Sequence, residues 1–441
     1  MRGIKQFLLY GLLVFLVPKL TIGQENQPMN TKLSLDQILD YALENSPMIQ
    51  QSLLDEEIGE HEIKSSLSGW LPQVTADFGA SHNIKRQTQV IGDQLITFGQ
   101  NYNSNLLFQV NQTLFNRDQF FASQTKDLVR SQLDQSTEGN KMNTVVMVSK
   151  AYYDILLTYE QLEILDENLN RLQKQYQDAK SRYESGLVDK TDYQRAGISL
   201  SNLKSDRNRV ATSLDAKFAY LKQLMGFPLP NDLNLDFDYA AMEKETVMDT
   251  TEELMVQNRI EHQQIETQLS LFGLQTKYQK WSYIPKVSAY YNYNMLFFNN
   301  EFSDLYRKNY PTSVVGVSVG IPIFQGGKRT QQIKIAELNE ERLQLSKTNL
   351  ESQINTEYET ALAAYKSNLY EWESVKENME LAEEVYNIIK LQYDEGIKAY
   401  VDLIVAETEL RTSQLNHYNS LYKVLASKLD LKKALGNIEI N

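Results

Sequence analysis

The residues able to do chemistry are few and poorly grouped. His61-Glu62 is followed by Ile63-Lys64-Ser65, so the second histidine of a zinc-protease helix (H-E-x-x-H) is missing. Gly326-Gly327-Lys328 lacks the earlier glycine that a phosphate-cradling loop needs. The four histidines (His61, His82, His262 and His417) are scattered, and there is no cysteine. Zero cysteine excludes a disulfide framework, a thiolate metal site, a cysteine nucleophile and lipidation on cysteine. Carboxylate pairs such as Glu383-Glu384 read most simply as solvated helix faces. No enzyme, cofactor or metal site is expected. With 44 basic against 57 acidic residues, the net charge of −13 also argues against nucleic acid, whose phosphates need a basic stripe.

The chemistry of this chain is therefore expected to lie in how its elements are arranged. Residues 1–23 carry Arg2 and Lys5, an apolar run from Phe7 to Val17, and Thr21-Ile22-Gly23. That order describes a secretory signal peptide, and the run is short for a membrane helix, which needs roughly 20 apolar residues. Cleavage after Gly23 would leave a mature chain at 24–441. It would remove Arg2, Lys5 and Lys19 and take the net charge from −13 to −16.

The mature chain reads as a duplication. At an offset of 210 positions Tyr176, Lys180, Tyr183, Gly186, Asp192, Ala196, Leu200 and Gly226 fall without a gap on Tyr386, Lys390, Tyr393, Gly396, Asp402, Ala406, Leu410 and Gly436. Upstream, at an offset of 213, Trp70-Leu71-Pro72-Gln73-Val74 lies over Tyr283-Ile284-Pro285-Lys286-Val287. Repeat 1 spans about 24–226 and repeat 2 about 251–436, with an irregular acidic segment at about 227–250 opened by Gly226-Phe227-Pro228.

Within each repeat the apolar period changes. Leu162, Leu165, Leu169, Leu172, Tyr176, Ala179 and Tyr183 step by 3 and 4, as do Trp372, Val375, Met379, Ala382, Tyr386, Ile389 and Tyr393. These are heptad seams, which ask for a partner helix. The helical pattern runs from Arg117 to Glu184 and from Lys328 to Glu395, on the order of 100 Å each at about 1.5 Å per residue. Gly186 and Gly396 then suit the left-handed position that ends a helix, and helical patterns resume at once, so each marks the tip of an antiparallel hairpin. Further helices are expected at roughly 35–69 and 251–282.

Four segments alternate at period two: about 72–82, 103–115, 285–298 and 312–324. Each is about 10–12 residues with one apolar and one polar face, as in a tilted outer-membrane strand; half-buried strands of a soluble sheet share this pattern, and the exported compartment and aromatic enrichment favour the membrane. Four strands cannot close a barrel, and an open edge in lipid is costly, so the chain is expected to oligomerise. Two copies give eight strands and a filled interior; three give twelve and room for an aqueous lumen. The fold class is α+β, a membrane protein of long helical hairpins and four shared strands.

In this plan the chain resembles the TolC-type outer membrane factors, the exit ducts of multidrug efflux and type I secretion. The likeness covers nearly all of the mature chain. It rests on RYESGLVDKTDYQRA (182–196), QYDEGIKAYVDLIVAE (392–407), IPIFQGGKR (321–329) and KKALG (432–436), in that repeat order. It departs at Leu114-Phe115-Asn116-Arg117-Asp118, which lacks the Gly-Gly of the second repeat. The resemblance implies a homotrimer in the outer membrane of a Gram-negative bacterium, with a shared twelve-stranded β-barrel in the lipid and a twelve-helix α-barrel across the periplasm. Its partners would be a periplasmic adaptor and an inner-membrane transporter of RND or ABC type.

The resemblance also assigns adaptor docking to the tips, Gly186-Leu187-Val188 and Gly396-Ile397-Lys398. Family members often carry two aspartates one turn apart after the second tip, ringing the tunnel entrance. Here Asp402 holds the first position and Val405 the second, with Asp192 the repeat partner of Asp402. A plain helix N-terminus would also favour an aspartate at these places. The expected function is the passive exit of small molecules, with protein secretion as the alternative. An exported coiled-coil scaffold without a pore is the rival from another class.

Overall fold

The computed structural model describes residues 32–440 except Val188, Phe237 and Asp238, so the leader expected at 1–23 lies outside the described residues. Helix α1 (Leu35–Asn45) starts where the Ser34 hydroxyl accepts from the Gln37 N–H and the Gln37 side chain accepts from the Ser34 N–H. It stops at Ser46, because Pro47 disfavours a helical residue before it and then opens α2 (Pro47–Leu67) with its fixed φ. The helical stretch expected at 35–69 is thus two helices with a break.

Strands β1 (Gln73–His82) and β4 (Tyr102–Phe115) follow, with a small hairpin of β2 (Thr88–Ile91) and β3 (Gln94–Thr97) between them. Helix α3 (Arg117–Glu184) has 68 residues and α4 (Lys190–Met225) has 36. After short α5 (Tyr239–Lys244) come α6 (Ile260–Lys280), β5 (Lys286–Asn299) and β6 (Thr312–Gly320). Helices α7 (Lys328–Asp394) and α8 (Tyr400–Leu435) have 67 and 36 residues.

Strand β6 ends at Gly320, short of the 324 expected from the alternation. Pro322 has no N–H for a ladder, and Ile321, Ile323 and Phe324 stand exposed beyond the sheet. The helical pattern expected from 251 also begins later, at Ile260, after a single 3₁₀ turn at 256–258.

The four long strands form one antiparallel sheet in the order β1-β4-β5-β6, so β1 and β6 are free edges of the protomer. Registers keep the two faces distinct. Ala76, Phe108, Tyr293 and Ser313 are successive cross-strand neighbours on one face, and Val110, Tyr291 and Val315 lie beside them. Thr75, Gln109, Asn292 and Val314 lie across the opposite, more polar face. Two glycines on the polar face make room for large neighbours. A Cβ on Gly316 would meet the Tyr290 ring at 2.6–3.0 Å, and one on Gly79 would meet Asn105 Oδ1 at 2.6 Å.

The main core sits at mid-length of the helices, where the 227–250 segment wraps them. There α3 is buried on nearly every side (Val148, Ala151, Tyr152, Tyr153, Ile155, Leu156 and Leu157), packed with Ile38, Leu221, Met225, Tyr365 and Leu421. Tyrosines suit this level because a large apolar body carries a hydroxyl that reaches irregular backbone. Tyr152 donates to Asp236 O at 2.7 Å, Tyr365 to Thr246 O at 2.7 Å and Tyr153 to Glu245 Oε2 at 2.5 Å. Among the described residues no helix is long and apolar enough to cross a membrane.

Candidate functional site: hairpin tips and open-edged sheet

The two tips are built alike. At the end of α3, Gly186 takes φ +74; its N–H donates to Tyr183 O at 2.9 Å and that of Leu187 to Arg182 O at 2.9 Å. At the end of α7, Gly396 takes φ +71, with its N–H on Tyr393 O at 3.0 Å and that of Ile397 on Gln392 O at 2.8 Å. This pair of bonds satisfies carbonyls that a helix end leaves free, and the positive φ selects glycine. Leu187 and Ile397 are then thrust outward, 76% and 73% exposed. Lys398 is exposed too, its N–H on Gln392 O at 3.2 Å, while Val188 lies outside the described residues.

Asp402 stands in the first turn of α8, where its Oδ2 accepts from the Ala399 N–H at 3.2 Å. It therefore caps the helix whatever else it does. Val405 follows one turn later and is 50% exposed, with Val401 beside it at 43%. Asp192 occupies the equivalent turn of α4, half-buried, and bears electrostatically on Tyr393 and Tyr400. The structure thus brings Asp192 towards the second tip's tyrosines and leaves Leu187 and Ile397 bare at the end of the hairpins.

Behind the tips the seams close as the heptads require. Leu165, Leu172, Leu200 and Leu203 pack α3 on α4, and Ala179, Ala196, Tyr386, Tyr400, Leu403, Ala406 and Leu410 join all four long helices. Glu407, absent from the residues expected to matter, also lies in this zone, a carboxylate only 2% exposed. Its signal was available: Tyr400, Leu403, Glu407 and Leu410 step by 3, 4 and 3, so a charge occupies a seam position.

At the far end of the helices the apolar face of the sheet is bare. Val315 is 80% exposed, Val74 68%, Phe78 66% and Val317 63%. Contiguous exposure of this kind marks a surface made for lipid or for another chain. Among the described residues no three His, Asp or Glu side chains gather in a way that could hold a metal ion.

The model of the family described as outer membrane efflux protein matches residues 38–227 and again 254–437. The chain belongs to that family. It is an outer-membrane protein with a large periplasmic part, and its relatives are channels and ducts. It is 22% identical over 422 residues to outer membrane protein TolC of Vibrio cholerae, covering 92% of this chain and 91% of that one. It is 19% identical over 406 residues to the proteases secretion protein PrtF of Dickeya chrysanthemi, covering 90% and 87%. Its fold matches the CmeC outer membrane channel of Campylobacter jejuni with a TM-score of 0.76 at 16% identity, covering 92% and 86%. The efflux-protein fold thus accounts for the long helices and the sheet together.

Proposed function

We propose that this efflux-family chain is one protomer of a homotrimeric duct that passes small molecules from the periplasm to the outside, as the outer component of a tripartite system. The observation that carries the reading is the four-stranded sheet with free edges at β1 and β6, one bare apolar face and one polar face. In lipid each unpaired edge group costs several kcal/mol, so the edges must meet those of other copies. Three copies give twelve strands and, unlike eight, leave an aqueous lumen lined by the polar face.

The helices ask for the same partners. On α7, Leu381, Val385, Ile388 and Leu391 form a second apolar stripe, 46–63% exposed, which a neighbouring protomer's helix would cover. Three hairpin pairs then make a twelve-helix tunnel. The internal duplication that this geometry needs is supported by two matches of one family model in one chain. Gly186, Leu187, Gly396, Ile397 and Lys398 form the surface offered to a periplasmic adaptor, with an inner-membrane transporter of RND or ABC type behind it. Asp402 and Val405, with Asp192, ring the entrance.

A second reading, the exit of secreted proteins, is favoured by the likeness to the proteases secretion protein PrtF. Both readings use one duct. Purified protein should run as a trimer and give discrete conductance in planar bilayers, and it should resist extraction from membranes by carbonate or high salt. Extraction by either, with no conductance, would leave the exported scaffold instead. Deleting the gene separates the cargoes: hypersensitivity to small toxic compounds supports efflux, and loss of exported proteins with unchanged sensitivity supports secretion.

A further inference from the structure

Within the protomer α4 packs on α3, α3 on α8 and α8 on α7, so α4 and α7 stand at the two ends of a row of four. The sheet ends the same way, with β1 at one edge and β6, which leads into α7, at the other. Both outer helix flanks are bare. On α7, Tyr370, Leu381, Val385 and Ile388 are 46–71% exposed, on the side away from buried Trp372 and Tyr386. On α4, Ile198, Ser201, Ser205 and Thr212 step by 3, 4 and 7 along an exposed flank, away from buried Ala196, Leu200 and Leu203. One flank is large and apolar, and the other is mostly small.

The flanks also differ in charge. Helix α4 has seven basic and three acidic side chains, whereas residues 359–394 of α7 have eight acidic and three basic. Glu373, Glu377, Glu380 and Glu384 step by 4, 3 and 4 along one edge of the apolar stripe, all exposed. None of them makes an ion pair with another described residue, and neither do Arg195 and Lys204, exposed on α4. Two like flanks brought together would set acid on acid or base on base, whereas unlike flanks attract. The levels agree as well. Ala196 and Tyr386, each 10 residues from its tip glycine, share one buried cluster, so the two hairpins end in step. Helix α4 leaves its tip as α7 approaches its own, so residues equally far from the tips come opposite each other. Ser201 and Leu381 are each 15 residues from the tip glycines, and Thr212 and Tyr370 are each 26. Ile198, at 12, is level with Val385, at 11, and Lys204, at 18, falls between Glu380, at 16, and Glu377, at 19.

We infer that the acid-edged apolar flank of α7 docks on the basic, small-residue flank of α4 in a second copy of this chain, with Val385 on Ile198 and Lys204 between Glu377 and Glu380. The contact is head to tail, so each copy offers one flank to either neighbour and the series closes as a ring. The inference rests on the assembly of copies proposed above and names the surfaces that select it.

The chain has no cysteine, so introduced pairs report alone. Ile198→Cys with Val385→Cys, and separately Ser201→Cys with Leu381→Cys, are made in the full chain, purified in detergent and mildly oxidised. A disulfide needs Cβ atoms about 3.5–4.5 Å apart, so a bond between copies reports direct contact. Most of the chain should run on a denaturing gel as covalent species of two and three copies. Ser205→Cys with Val385→Cys, about 12 Å out of step at about 1.5 Å per residue, should give about a tenth of that yield. Lys204→Glu should lower the first pair's yield several-fold at low ionic strength, and Glu380→Lys added to it should restore much of the loss. If the cysteine pairs do not assemble, the native mass of Lys204→Glu, alone and with Glu380→Lys, carries the test, and a mass unchanged by either would overturn the seam. No in-step bond in protein that still runs as a trimer would overturn the seam and keep the duct, as would an equal yield from the out-of-step pair. A covalent series that stops at two copies would uphold the seam and sink the trimer. Wild-type protein that runs as a monomer, with no bond between copies in either pair, would sink both.

Discussion

Arg259 Nη1 donates to the carbonyl oxygen of Ala434 at 2.8 Å, tying the start of α6 to the last turn of α8. The guanidinium is 2% exposed, yet four of its bonds are made: Nε and Nη2 clasp Glu261 at 3.0 and 3.1 Å, and Nη2 also reaches Glu357 on α7 at 2.9 Å. It thus places a positive charge where the C-terminal carbonyls of α8 need one and staples three helices at the mid-length core.

Replacing Arg259 by methionine should keep the packing volume but strand two carboxylates and a carbonyl. A loss of about 1–2 kcal/mol is expected, because Glu261 and Glu357 are partly exposed and regain water, and the buried Ala434 carbonyl is the main group left unpaired. It should appear as a lower thermal midpoint of the purified protein. Burial pushes the Glu261 carboxyl up, but the hydrogen bonds from Arg259 outweigh it and leave the group below its ordinary value of 4.5. A carboxylate held low stabilises the fold above its unfolded value and loses that stabilisation as pH falls through its folded one. The wild type should therefore weaken on acidification below about pH 4.5, with that component missing in Arg259→Met.

Two kinds of glycine terminate the helices, and alanine should tell them apart. At Gly186 and Gly396 an added Cβ would meet nothing within 4 Å, so only the positive φ matters, a strain of about 1–2 kcal/mol confined to the tip. At Gly226, φ is +71 and a Cβ would also collide with the carbonyl oxygen of Asn45. Gly226→Ala should lower the thermal midpoint clearly, whereas Gly186→Ala should raise hydrogen exchange only around the tip. Gly436, φ +79, differs again: a Cβ there would meet the carbonyl oxygen of Asn258 only at an ordinary 3.4 Å, so Gly436→Ala should cost its backbone strain alone.

The parts of this plan that repeat were legible in the sequence. The seams from Leu162 and Trp372, the tip glycines and the alternation of the four strands follow local periods, and each period is fixed by one neighbouring surface. The β2–β3 hairpin was not read, because 82–104 is polar overall and its strands have only 4 residues each. Gly92, at φ +63, opens a two-residue Gly-Asp turn flanked by Val90-Ile91 and Leu95-Ile96, a hairpin signal in hindsight. Arg259 is hidden for another reason. Its burial comes from helices more than 90 residues away in sequence, which no local period reports, whereas the seam period does mark Glu407.

Gly316 and Tyr290 form a compensating pair on the polar face of the sheet. Gly316→Ala should displace the Tyr290 ring, whose hydroxyl and ring carbons lie 2.6–3.0 Å from the new Cβ, and should lower the yield of assembled protein. Tyr290→Ala introduced with it should restore much of that yield, although each change alone is harmful. Strict additivity of the two losses would show that the contact does not matter for assembly.

Asp402 can be asked whether its charge or its cap matters. Asp402→Asn keeps an oxygen able to accept from the Ala399 N–H, so helix α8 should hold and any change in ion flow reports the lost charge. In a trimer the variant removes three carboxylates from around the axis. Cation selectivity, read as the reversal potential across a salt gradient, should fall, and block by a multivalent cation should need a higher concentration. Asp402→Ala removes cap and charge together and should add local fraying at 399–402 by hydrogen exchange. Val405, half-exposed one turn on, offers the opposite experiment. Val405→Asp should bring a second set of carboxylates beside the first and tighten cation block, by roughly tenfold for each 1.4 kcal/mol of added attraction. Selectivity and block that ignore both Asp402→Asn and Val405→Asp would leave Asp402 as a helix cap alone and put the entrance elsewhere on the tips.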